Sequence, residues 1–157
     1  MMEQREASPD AVMTRIGQAI MLLHGGDREE ARNRFAVIWS EIGADGDALH
    51  RCTLAHYMAD TQDDPADELD WDLRALTAAD GLSDERVAEH QDALAVRAFY
   101  PSLHLNLAAD YLKLRCPDAA RTHLHRARAA AEALPDSGYG TGVRTAIERL
   151  ELRMRQP

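Results

Sequence analysis

The chain has 157 residues, of which 45% are hydrophobic, 5% aromatic and 29% charged, and its net charge is −9. That length is enough for one domain with a core of its own, and the apolar share is too high for an intrinsically disordered chain. No run approaches the roughly 20 apolar residues of a membrane-spanning helix, so no membrane partner is expected.

The apolar residues are of helical type. There are 27 Ala and 18 Leu against 5 Val and 5 Ile, whereas strands favour the β-branched side chains. The fold class expected is all-α. The opening Met1-Met2-Glu3-Gln4-Arg5-Glu6 is polar with no apolar stretch behind it, so residues 1–8 read as a flexible tail, no secretory signal is expected, and the cytoplasm is the expected compartment. Cys52 and Cys116 lie too far apart for a disulfide framework or a zinc motif, and both are expected as free thiols.

Prolines mark helix starts in chain order. Pro9 after Ser8, Pro65 after Asp64, Pro101 after Tyr100 and Pro117 after Cys116 each open an apolar pattern of helical period, where a missing N–H costs nothing. Asp64 adds a capping side chain, and Asp67 and Glu68 add first-turn carboxylates suited to the helix dipole. Gly25-Gly26-Asp27, Gly43 to Gly46 and Gly138 to Gly142 supply the remaining breaks, and Pro135 ends a run. Eight helices are predicted, over 9–24, 27–42, 46–60, 65–80, 84–98, 101–115, 117–134 and 141–155. The short loops between them imply antiparallel hairpins, 9–42, 46–80 and 101–134, within a single domain over 9–157.

A pattern repeats along these hairpins. Ile16, Gly17, Ile20, Ala31, Phe35 and Ile38 align with Leu54, Ala55, Met58, Leu69, Leu73 and Leu76, and again with Leu107, Ala108, Tyr111, Ala120, Leu124 and Ala127. Each copy sets a small residue between large ones on the first helix, which would let paired helices approach closely at Gly17, Ala55 and Ala108. The third copy, Leu107-Ala108-x-x-Tyr111 with Ala120, Leu124 and Ala127, resembles the tetratricopeptide repeat. The first copy keeps Gly26-Asp27 and Ala31-x-x-x-Phe35, and the second keeps Leu54-Ala55 and Leu73-Arg74-Ala75-Leu76. Met13, Arg51 and His104 stand where that family usually has tryptophan, Leu69 stands where a small residue is usual, and 81–99 is an insertion. The resemblance implies about three stacked pairs in a short right-handed α-solenoid, with 84–98 as an extra helix and 141–155 as a solvating cap helix.

For function the resemblance implies a non-enzymatic scaffold that binds a protein segment or peptide, with no cofactor. It places Thr14, Arg15, Gln18, Leu49, Cys52, Thr53, His56, Ser102, Leu105, Asn106, Ala109 and Lys113 along a concave groove. Only Arg15, Asn106 and Lys113 could serve in the basic clamp that some family members use on chaperone tails, so that ligand is not expected. An alternative is a regulatory domain that self-associates or senses a small ligand, with 81–99 covering the groove or making a homodimer, and a third is an α-helical metalloenzyme using Cys52 and His56.

Other constellations are weaker. Cys52 and His56 share a helix face with His50 nearby, but two donors do not make a zinc site; His123 and His125 point to different sides, and His90 reads as a packed core histidine. No metal site is therefore expected. Seven carboxylates, Asp60, Asp63, Asp64, Asp67, Glu68, Asp70 and Asp72, fall within 13 residues without the glycine and distal glutamate of a calcium loop, and they read as a loop and a helix start that could steer a basic partner. Gly138-Tyr139-Gly140-Thr141-Gly142 before Arg144 looks like a phosphate cradle but lacks a preceding strand and a lysine, so a flexible turn is expected. The front half, 1–82, carries a net charge of −10, which disfavours nucleic acid as a partner.

Overall fold

The computed structural model describes residues 8–81 and 99–155, and the predicted helix at 84–98 lies outside them. Among the described residues there are seven helices: α1 (Ser8–His24), α2 (Arg28–Ile42), α3 (Ala48–Ala59), α4 (Pro65–Asp80), α5 (Tyr100–Lys113), α6 (Pro117–Ala131) and α7 (Gly138–Arg155). There is no strand among the described residues, so the expected all-α class holds. None of these helices is long and apolar enough to cross a membrane.

The starts follow from side chains that accept from exposed helix N–H groups. Asp27 accepts from the Glu30 amide at 3.4 Å, Asp47 from Leu49 at 2.8 Å, and Asp64 from Ala66 at 2.8 Å with Pro65 in the first turn. Each such cap is worth about 1 kcal/mol. The ends of α1, α2, α4 and α7 fall where predicted, whereas α3 stops one residue early, α5 two and α6 three. Helix α5 stops at Lys113 because Arg115 turns left-handed (φ 61°), which lets the Cys116 amide reach back to the Tyr111 carbonyl at 2.8 Å. The same turn closes α1, where Gly26 (φ 92°) takes the left-handed position and the Asp27 amide bonds the Leu22 carbonyl at 2.9 Å.

Helices pack as the pairs α1/α2, α3/α4 and α5/α6. The second pair meets the first through α3 against α2 and α1, the third meets the second through α5 against α4, and α7 covers α6 and α5. Three apolar clusters follow the same order. Ile16, Ala31, Phe35, Ile38, Leu54 and Met58 fill the first; Cys52, Ala55, Ala75, Ala79 and Leu103 the second; Ala108, Leu124, Ala127, Val143, Ile147 and Leu150 the third. Phe35 is fully buried, and its truncation to alanine would cost about 3–5 kcal/mol.

Two expectations change here. Ala55 and Ala108 are fully buried, but a Cβ placed on Gly17 would meet nothing within 4 Å, so Gly17 is not a notch for a neighbouring helix. The glycine run 138–142 is not a flexible turn; it is the first turn of α7, with Gly140 buried where a Cβ would collide with the Pro135 carbonyl oxygen. Ser137 starts that helix by accepting from the Gly140 amide at 3.5 Å.

Candidate functional site

Residues four apart on a helix share a face. His56 and Asp60 are so spaced at the end of α3, Glu68 and Asp72 on α4, and Asn106 and Asp110 on α5. Packing of α4 on α5 gathers Glu68, Asp72 and Asp110, with one carboxylate oxygen from each within 4.8 Å of the others. Asp72 and Asp110 are each only 1% exposed, and Asp72 Oδ1 and Asp110 Oδ2 have no hydrogen-bond partner, alone among the buried side-chain polar atoms described. Glu68 is half-buried at the outer edge, where Lys113 Nζ donates to its Oε1 at 2.8 Å.

Burial of two facing carboxyls disfavours charge on both. The Asp72 carboxyl is pushed up to about 11, first by burial and then by its hydrogen bond and charge contact with Asp110, so it carries a proton at neutral pH. Burial raises the Asp110 carboxyl as well, against the opposing effect of the bond to Asp72. Lys113 is raised by its hydrogen bond to Glu68.

A second polar contact lies next to this cluster. Asn106 Nδ2 is 3.4 Å from His56 Nδ1 across the second and third pairs, and the His56 ring stacks on Phe99 with centroids 6.0 Å apart. Burial lowers the His56 value, which keeps its imidazole neutral and able to accept from the amide. Asp60, one turn on from His56, is raised chiefly by burial.

The residues of the expected groove are distributed over several surfaces. Arg15 is bound to Glu41 at 2.5 Å, and with Gln18 it borders a cleft of about 310 Å³ between α1 and α2, remote in sequence and packing from Lys113; Thr14 is exposed on the same helix. Cys52 sits at zero exposure in the second cluster with its thiol pushed up to about 12 by burial, so it lines no open groove and offers no thiolate beside His56. Thr53 is buried and donates to the Leu49 carbonyl at 2.8 Å, while Leu49 is half-buried against the second cluster. Ser102 bonds the Tyr139 hydroxyl at 2.6 Å, and Leu105 and Ala109 pack against the third cluster, toward α7.

The remaining sequence candidates are accounted for locally. Arg28 holds Asp63 at 2.5 Å and also donates to the Gln62 and Asp60 carbonyls, which ties the acidic loop to α2. Arg144 donates to the Ala131 and Leu134 carbonyls at 3.0 and 2.6 Å, so it caps the end of α6 rather than awaiting a phosphate. His123 lies in a stack of four rings, Tyr100–His104–His123–Tyr111, with His104 Nδ1 at 3.1 Å from its own Nδ1, whereas His125 is exposed.

No family model matches the chain, and neither a curated protein nor a solved structure gives a match to it. The site must therefore be judged on its own chemistry. It offers three carboxylates on two helices, and in two of them one buried oxygen has no hydrogen-bond partner.

Sequence reasoning missed Asp110 altogether and counted Asp72 among solvated acids. A signal was present. Asp72 lies on the stripe of Ala75 and Ala79, and Asp110 on the stripe of Leu103 and Leu107, so each is an acid placed on the buried face of its helix.

Proposed function

We propose that the chain is a non-enzymatic interaction module, a short right-handed helical-repeat stack of the tetratricopeptide kind that holds a segment of a partner protein. What carries this reading is the packing order: each helix pair touches the next pair in the chain, with no substantial contact between the first and third among the described residues. Stacks of this kind expose an extended inner face suited to an unfolded segment. The fully buried Ala55 and Ala108 at equivalent positions of the second and third pairs support the repeat. The first helices of those pairs, α3 and α5, bear the partly exposed His56, Ser102 and Asn106. The net charge of −9 steers basic segments toward the molecule.

The test compares proteins retained from the native host by wild type and by Ser102→Arg/Asn106→Arg, with quantitative mass spectrometry and circular dichroism to confirm intact helices. A partner retained by the first and lost by the second is expected. Equal retention places binding elsewhere.

Self-association into a homodimer is a second reading. Met21 is 74% exposed on α1 and Val37 is 52% exposed on α2. Light scattering over a concentration series separates the two, since a strict monomer removes the dimer.

A further inference from the structure

We propose that Glu68, Asp72 and Asp110 form a binding site for a single hard divalent cation at the junction of the second and third helix pairs. Ions of this class sit about 2.0–2.6 Å from each oxygen ligand, so ligands on opposite sides of one ion are about 4–5 Å apart. The three carboxylate oxygens, all within 4.8 Å of one another, already fit one coordination sphere.

Clustered acids alone would be explained as a solvated face. Here two of the three side chains are 1% exposed, and Asp72 Oδ1 and Asp110 Oδ2 face no hydrogen-bond donor. A buried carboxyl oxygen left without a partner is costly, and a cation between the two aspartates relieves it where the proton they otherwise share leaves Asp72 Oδ1 and Asp110 Oδ2 unpaired. Lys113 does not reach them: its ammonium is bound to Glu68 at the exposed edge. A cation at the floor would find two carboxylates fixed on helices and a third, Glu68, as the gate toward solvent. Lys113 is more than half exposed and free to swing away when Glu68 turns to the ion.

The donor set defines the class of ion. It contains carboxylate oxygen only, which suits magnesium, manganese or calcium, whereas zinc favours nitrogen and sulfur. Cys52 and His56 lie outside the group of three.

The experiment is a titration of the chelator-stripped full chain with manganese, read by the loss of the free-ion electron paramagnetic resonance signal, followed by competition with magnesium and calcium. One equivalent is expected to bind, with at least tenfold weaker binding in Asp72→Asn and in Asp110→Asn. Asp67→Asn/Asp70→Asn, which removes two exposed acids from the same helix, is expected to bind as wild type does. Glu68→Gln, at the half-buried edge, serves where either aspartate variant loses its circular dichroism signal, and it too is expected to weaken binding. Absence of binding would overturn the proposal and leave a shared proton as the sole bridge between the two aspartates. Binding that is unchanged in the site variants, or lost equally in the Asp67/Asp70 control, would overturn it in favour of diffuse attraction to surface acids.

Discussion

Asp72→Asn should stabilise the metal-free protein at neutral pH, although it alters a buried polar contact. An unfolded aspartate titrates near about 3.9, while in the folded chain Asp72 is pushed up to about 11 by burial and by Asp110. Folding at pH 7 must therefore bind a proton that the unfolded chain has released. Its cost is about 1.4 kcal/mol for each of about three pH units, or roughly 4 kcal/mol. Because the folded value is the higher one, stability is fully present below about pH 4 and is lost as the pH rises toward about 11. Asparagine stays neutral throughout and its amide donates to the Asp110 carboxylate. Urea unfolding in chelator between pH 5 and 8.5 should show wild type losing about 1.4 kcal/mol per pH unit relative to Asp72→Asn, with the variant up to about 4 kcal/mol more stable at pH 7. Parallel curves, or a variant less stable at pH 7, would refute the burial of a protonated Asp72.

Gly17→Ala should raise stability by up to about 1 kcal/mol, since the added Cβ meets nothing and alanine is the better helix former; chemical denaturation measures it. Gly140→Ala should instead cost about 1–3 kcal/mol in the same assay, because the first turn of α7 presses on the Pro135 carbonyl. Arg115→Gly should gain about 1 kcal/mol by relieving a left-handed backbone that α1 assigns to Gly26. Thiol labelling of the native protein should modify Cys116, which is exposed, and spare Cys52 until the chain unfolds.

Local chemistry made most of the helices legible. Asp64-Pro65 and Gly26-Asp27 act where their types predict, because a cap needs only its own first turn. The stripe of Ala31, Phe35 and Ile38 is buried as its spacing requires. Non-local features were harder to read. The approach of Asp72 to Asp110 depends on how α4 meets α5 across the segment between them, and periodicity carries no such information. The scatter of the groove set has the same origin: Arg15 turns to α2, Lys113 to α4, and Ser102 to Tyr139 of α7. Gly17 and the run 138–142 misled because glycine marks a close contact, a turn or a mere tolerance with one and the same letter.

The most direct measurement is the side-chain carboxyl carbon resonance of Asp72 at pH 7, recorded without metal and then with magnesium. A protonated carboxyl that becomes a carboxylate on saturation is the predicted result. A carboxylate in both samples would contradict the burial of a protonated Asp72 against Asp110.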